Sequence, residues 1–459
     1  MPEHFDAIII GTGQSGPALA TKLAAAGCKT AILERKLFGG TCVNVGCIPT
    51  KTLVASARAA YVARRAADFG VLLSGDVRVD MAKVKARKDA VVHASTTGVA
   101  NWLRNTKSLT VIEGHGRFTG PRQVEVAGRA LDADQVFINV GGRAAVPPIP
   151  GLDTVPYLTN STMMEVDFLP EHLVIIGGSY IGLEFAQMYR RFGGKVTVIE
   201  GAPRLIARED DDVCAAVREI LEGEGVTVRT DAAVKQVGPK DGGVAVHIQA
   251  GAVMDVVAGS HLLLAVGRMP NTQDLGLEAA GVKTDARGYI AVDDQLRTSA
   301  EGVWALGDCN GRGAFTHTSW NDYEIVAANL LANDPRRVTD RIPAYALFID
   351  PPLGRCGMSE REVRATNRPA LMAKMPMQRV GRARERSETL GFMKVLVDAE
   401  SKRILGAALL GIEGDEVVHL LLDAMYSGAP YTMIQRAMHI HPTVSELVPT
   451  LLEGLKPLT

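Results

Sequence analysis

A chain of 459 residues with 47% hydrophobic content is long enough for two or three domains, each burying a core of its own. Its 50 lysines and arginines nearly cancel 51 aspartates and glutamates, which argues against nucleic acid or an anionic membrane face and for small-molecule partners. Six cysteines are too sparse for a secreted disulfide scaffold and lack the paired CxxC units of a zinc site, so no metal is expected. No window approaches the roughly 18 to 20 uncharged apolar residues of a bilayer crossing, and residues 1–6 carry no basic n-region, so a cytoplasmic location is expected.

Residues 6–10 read as an apolar strand that runs into Gly11-Thr12-Gly13-Gln14-Ser15-Gly16 and then an alanine-rich helix. Backbone amides at such a helix start meet a pyrophosphate with no Cβ in the way, and Gly16 lets the helix pack on the strand. A second strand, 30–33, ends in Glu34, where a carboxylate can bind two ribose hydroxyls. The alternative is a tight strand-to-helix turn with no ligand. The glycine- and proline-rich stretch 141–151 breaks any regular element and marks a domain junction. A second strand, turn and helix follows: 173–176, then Gly177-Gly178-Ser179-Tyr180-Ile181-Gly182, with Ser179 in place of the central glycine, and strand 195–199 ending in Glu200. A strand end and turn at 265–271, then short strands over 289–292 and 303–306, place this second nucleotide unit as an insertion in the first. Beyond about residue 341, strands 393–397 and 404–410 precede apolar helices 416–426 and 431–438, which reads as a third, α+β domain.

The most informative stretch is GGTCVNVGCIPTK, residues 39–51. In a straight helix, five residues hold two Cα atoms farther apart than a disulfide comfortably spans, so joining Cys42 to Cys47 needs a distorted turn, which Gly46 permits. A strained, accessible disulfide is easily reduced and suits a catalytic pair. By spacing alone, two unrelated buried thiols or a pair of metal ligands stay open as alternatives.

This run resembles the redox-active segment of the pyridine nucleotide-disulfide oxidoreductases, whose members include dihydrolipoamide dehydrogenase, glutathione reductase and mercuric reductase. The likeness covers essentially the whole chain. It implies an α/β fold with two Rossmann-like nucleotide-binding domains, for FAD and NAD(P), plus a C-terminal α+β dimerisation domain. The FAD domain is expected over 1–148 and 270–340, the NAD(P) domain over 149–269 and the dimerisation domain over 341–459. It implies that Cys47 sits against the flavin as the charge-transfer thiolate while Cys42 attacks substrate. Lys51 is similar to the family's lysine near flavin N5, with Glu184 as its ion-pair partner; two solvated helix charges are the plain alternative.

The FAD contacts implied are Gly11, Gly13, Gly16, Glu34, Thr41, Lys51, Gly116 in the run 114–118, Asp308 at the end of a second FAD motif, and Thr316. The NAD(P) contacts implied are Gly177, Tyr180, Ile181, Gly182, Glu200, Gly267 and Arg268. A carboxylate at Glu200 favours a free ribose 2′-hydroxyl, so NADH is the expected donor; Arg204 and Arg208 downstream leave NADPH as the alternative. Tyr180 resembles an aromatic gate that covers the flavin until nicotinamide displaces it, a core tyrosine being the other reading.

Near the C-terminus, His441 offers an imidazole, the side-chain type able near neutral pH to protonate a leaving thiolate or deprotonate an attacking one. Glu446 can hold its imidazole and favour the cation. Thr443-x-x-Glu446 is equally a helix capping box, and both roles can coexist. The run from His441 to Glu446 resembles the family's active-site base motif, which reaches the dithiol from the opposite subunit and implies a homodimer with a shared active site. His439 matches a histidine of some members and is expected to be structural.

Segments 315–323, 350–355 and 382–384 look most like the mercuric-reductase-like branch, which includes reductases of copper and of hypothiocyanous acid. The tail 451–459 lacks the vicinal cysteines that hand over Hg(II), and no CxxC metal domain precedes Met1. The expected acceptor is therefore a small oxidised sulfur compound, a low-molecular-weight disulfide or hypothiocyanous acid. A Cu(II) or Hg(II) reductase and a dihydrolipoamide dehydrogenase of a multienzyme complex are the rivals. An FAD- or NAD-binding sensor would leave Cys42, Cys47, His441 and Glu446 without a shared purpose.

Overall fold

Apolar strands that alternate with glycine turns and helices build parallel sheets, because each crossover helix covers a sheet face. The computed structural model describes residues Met1–Leu458; Thr459, the last residue of the cysteine-free tail, lies outside the described residues. Its first sheet has seven strands: Leu109–Glu113, Thr30–Glu34, Glu3–Ile10, Arg129–Ile138 and Val303–Ala305 run parallel, and Gln123–Val126 and Arg117–Gly120 extend it antiparallel from the start of Arg129–Ile138. The central strand is dry, with Phe5, Ala7, Ile8 and Ile9 all buried, as a strand covered on both faces must be. Strand Val303–Ala305 comes from far along the chain, so the intervening unit is inserted.

That inserted unit has its own parallel sheet, ordered Thr227–Arg229, Lys195–Ile199, His172–Ile176, His261–Leu264, Leu158–Thr159. An antiparallel sheet of Ala232–Lys240, Gly243–Ala250 and Val253–Gly259 packs on it through Val174, Ile176, Val244 and Val246. The chain crosses between the two units at Gly142–Ala144 and Arg268–Pro270, which pair antiparallel side by side. The C-terminal unit is a six-stranded antiparallel sheet carrying helix Gly414–Tyr426, whose Leu421 joins Val395 and Leu409 in the core. On this topology we propose the boundaries 148/149, 269/270 and 340/341.

Buried charges fasten the three units together. Asp350 of the C-terminal unit receives Arg58 from helix Cys47–Arg64 and Arg191 from helix Tyr180–Phe192. Lys394, 1% exposed, reaches Asp210 at 2.9 Å, Asp212 at 2.8 Å and Glu360 at 3.2 Å.

Two expected elements differ. No strand forms over 289–292; a lone bridge joins Thr284 to Ile290, because the Asp285 carboxylate accepts the backbone N–H groups of Arg287 and Tyr289 and closes a turn. The expected helix over 431–438 is only Thr432–Arg436. Ala437 is extended, and Met438 and Ile440 find no core within the chain, at 99% and 80% exposure.

Candidate active site

Each parallel sheet ends in the same device. Glu34 accepts the Thr12 N–H at 3.1 Å and the Lys36 N–H at 2.8 Å; Glu200 accepts the Gly178 N–H at 2.7 Å and the Ala202 N–H at 2.8 Å. A carboxylate has about four acceptor sites, so each keeps capacity for a ribose. Beneath each loop a glycine lets the helix touch the turn: a Cβ on Gly16 would lie 2.3 Å from the Gly11 carbonyl oxygen, and one on Gly182 would lie 2.1 Å from that of Gly177.

A single cavity of about 2240 Å³ runs from Glu34 past Cys42 and Cys47 to Glu200. Of the residues expected at the site, all line it except Gly16, Gly182, His441 and Glu446. Gly16 and Gly182 act from below, through packing. Arg268, expected among the NAD(P) contacts, lies against Asp308, expected among the FAD contacts: its Nε is 3.3 Å from Asp308 Oδ2, and its Nη2 donates to the Gly142 carbonyl at 2.7 Å. Burial raises the pKa of Asp308, and the Arg268 guanidinium opposes that.

The two thiols stand where the helix breaks. Cys42 lies in the short helix Gly40–Asn44, and after Val45 and Gly46 the chain restarts as Cys47–Arg64. The environments of the two sulfurs differ. A hydrogen bond from Cys42 lowers the pKa of Cys47 against the effect of burial, Thr316 and Lys51 add to it, and Cys47 falls to about 6. The Thr316 hydroxyl is 3.0 Å from Cys47 Sγ. That same bond to Cys47, together with burial, pushes Cys42 far up. The pair thus shares a proton, with Cys47 the sulfur biased toward its thiolate and Cys42 the one biased toward its thiol. Lys51 is held by Glu184, with Nζ 3.0 and 2.8 Å from its two oxygens, and Glu184 also accepts the Phe348 N–H at 3.1 Å.

His441 Nδ1 lies 3.0 Å from both oxygens of Glu446. Glu446 also accepts the Thr443 N–H at 3.4 Å, while its own N–H donates to the Thr443 hydroxyl at 3.2 Å, so one carboxylate closes the turn and holds the imidazole. The His441 side chain is 80% exposed and lies off its own chain's cavity.

Sequence reasoning passed over Asn139, which ends the strand beside the first glycine loop. Its Oδ1 accepts the Gly16 N–H at 3.0 Å and its Nδ2 donates to the Leu306 carbonyl at 3.0 Å, joining the first glycine loop to the segment that carries Asp308. It also passed over Glu209 and Tyr345, and gave Arg355 no role beyond the branch likeness of residues 350–355. The one signal was an arginine inside the buried strand Leu353–Gly357, which demands a buried partner.

The cavity walls fit dinucleotides. Gly141 and Gly267 both take positive φ, +64° and +128°, and a Cβ on either meets nothing within 4 Å, so a side chain there would fill the cradle itself. The class defined by two such cradles flanking a cysteine pair is that of the two-nucleotide redox enzymes. The family description "Pyridine nucleotide-disulphide oxidoreductase" matches residues 5–322, and its dimerisation domain matches residues 343–452. The chain is 35% identical over 461 residues to the probable pyridine nucleotide-disulfide oxidoreductase RclA of Escherichia coli strain K12, covering 98% of this chain and 99% of that one. It is 34% identical to a dihydrolipoyl dehydrogenase of Thermus scotoductus, covering 96% and 95%. A solved structure described as the Cu(II) complex of HOCl-induced flavoprotein disulfide reductase RclA from Escherichia coli superposes with a TM-score of 0.89 at 34% identity, covering 97% and 99%. The chain belongs to the pyridine nucleotide-disulfide oxidoreductase family, and is an FAD-dependent oxidoreductase that uses NAD(P)H.

Proposed function

We propose that this enzyme passes electrons from NADH by way of FAD to a Cys42–Cys47 disulfide and on to a small oxidised sulfur compound, a low-molecular-weight disulfide or hypothiocyanous acid. The observation that carries this reading is the pair of thiols lining the cavity between the two nucleotide cradles, with the Thr316 hydroxyl 3.0 Å from Cys47 Sγ and the surroundings of Cys47 favouring its thiolate. FAD, when bound, supplies a two-electron relay between hydride donor and disulfide. The glycine loops, Glu34 and Asp308 hold it, and Lys51 with Glu184 sets the charge beside it.

The chain's own groups perform the second half of the reaction. Cys42 gives its proton to a base and its sulfur attacks the electrophilic sulfur of the acceptor, whose leaving group departs with the electron pair of the broken bond and takes a proton. The Cys47 thiolate then attacks the Cys42 sulfur, restoring the disulfide and releasing the rest of the acceptor reduced by two electrons. His441 of the partner subunit is the base proposed. Its exposure, its distance from its own cavity and the bare Met438 and Ile440 around it all support a homodimer with a shared site.

NADH is supported over NADPH by Glu200 at the ribose end and by Arg204, which is paired with Asp211. Arg208 lines the cavity and keeps NADPH as the alternative. A cytoplasmic location is supported by the four cysteines outside the redox pair, Cys28, Cys214, Cys309 and Cys356, all of them free thiols; among the described residues no helix is long and apolar enough to cross a membrane. A second reading, Cu(II) reduction, rests on the copper complex of the E. coli relative. The test is anaerobic reduction with NADH followed by mixing with hypothiocyanous acid, small disulfides, lipoamide, Cu(II) or Hg(II). Fastest reoxidation by a small sulfur compound is expected; fastest reoxidation by a metal ion or lipoamide overturns the assignment.

A further inference from the structure

Glu209 is 2% exposed and stands where the three units meet. Its Oε1 accepts two phenol hydroxyls, from Tyr180 at 2.9 Å and from Tyr345 at 2.6 Å. Its Oε2 lies 3.1 Å from Arg355 Nε, and Arg355, 3% exposed, donates through Nη1 to the Ala407 carbonyl at 2.8 Å. The next residue, Asp210, accepts backbone N–H groups of Glu360 and Arg361 and pairs with Lys394, so the segment is pinned to the C-terminal unit. The two tyrosine rings meet edge to face at 5.7 Å, and Tyr345 stacks on Phe315 at 5.5 Å, beside the threonine that touches Cys47.

We propose that Glu209 is a positioning residue that latches the Tyr180 ring inside the cavity, so that nicotinamide enters only after the Tyr180–Glu209 hydrogen bond breaks. This rests on the reading of Tyr180 as the ring that covers the flavin. The arrangement suits a latch because Tyr345 and Arg355 stay on the carboxylate when Tyr180 leaves, so opening strands no buried charge. The bond is charge-assisted and stronger than one between neutral groups. Burial and the Glu209 charge raise the Tyr180 pKa, so its hydroxyl remains a donor throughout the working range. A latched ring lowers the binding-competent fraction of the protein and weakens apparent nucleotide affinity by that fraction.

The test titrates NAD+ into oxidised holoenzyme and reads the dissociation constant from the flavin spectrum. Tyr180→Phe keeps the ring and removes the latch, and NAD+ should bind about 5- to 10-fold tighter. Tyr345→Phe leaves Oε1 to Tyr180 alone, tightens the latch and should weaken NAD+ roughly 3-fold. Opposite signs from two single-hydroxyl deletions on one oxygen are not produced by a general loss of packing. Shifts of the same sign, or both within twofold of wild type while Tyr180→Ala binds more tightly, overturn the latch and leave the covering ring standing. An unchanged affinity in Tyr180→Ala overturns both.

Discussion

Cys42 and Cys47 sit five positions apart, yet one is pushed toward its anion and the other away from it, and the cause is their neighbours. Removing one neighbour should move the charge. Thr316→Ala deletes a donor to Cys47, so its pKa should rise from about 6, and the thiolate absorbance of NADH-reduced enzyme should appear at higher pH than in wild type. Cys42→Ser should still accept electrons from NADH at the flavin and lose acceptor turnover, seen by comparing stopped-flow reduction with steady-state rates; wild-type turnover would remove Cys42 from the scheme. At this scale the sequence was informative where residues are close along the chain, as in residues 39–51. Lys51 and Glu184, 133 positions apart, were joined beforehand only through the family likeness. Glu209 carried no local signal, since its partners Tyr180, Tyr345 and Arg355 come from two other segments and a helix start.

The elements that hold nucleotides were legible because strand, glycine loop and following carboxylate are written contiguously, and both copies fold as their spacing predicts. What spacing does not tell is which glycine faces ligand and which faces protein. Gly16 and Gly182 face protein, and a methyl group on either would have to displace a carbonyl oxygen. Each should therefore fail selectively. Gly16→Ala should lose bound flavin on purification, whereas Gly182→Ala should keep its flavin and bind NAD+ at least about 10-fold more weakly, at an overpacking cost of about 1 to 3 kcal/mol. Flavin content and NAD+ titration separate the two. The missed strand at 289–292 and the shortened helix at 432–436 have a common origin: hydrophobic periodicity reports where apolar residues fall. A carboxylate that ties down a turn, or apolar residues such as Met438 and Ile440 that find no core within the chain, leave no trace in it.

Across the whole molecule, the three units are joined by charges buried where the units meet. Burial opposes ionisation of Asp210 and Asp212, but Lys394 and the Glu360 backbone N–H hold Asp210, and Lys374 and Lys394 hold Asp212, below the ordinary carboxylate range. Their contribution to stability is thus present above about pH 4, the unfolded value, and is lost as pH falls through their lower folded values. Lys394→Met should cost about 3 kcal/mol at neutral pH by leaving the buried Asp210 carboxylate without its cation, while Asp212 keeps Lys374, and the gap in Tm from wild type should narrow as pH is lowered past 4. The proposed shared site makes its own prediction. Cys42→Ser and His441→Ala homodimers should both be inactive, the second slowed roughly 100-fold or more. Mixed after subunit exchange, they should regain about a quarter of wild-type activity, because half the dimers are hybrids with one intact site of two; no recovery would place the base within one chain. The turn closed by Glu446 then has a wider consequence. It leaves its imidazole exposed and off its own chain's cavity, so on the proposed shared site a subunit that has lost its mate would still draw reducing power from the nicotinamide pool but could not spend it on the acceptor. The supply of finished enzyme would be governed by how long two subunits stay together, and dilution would disarm the protein while leaving it fully coloured.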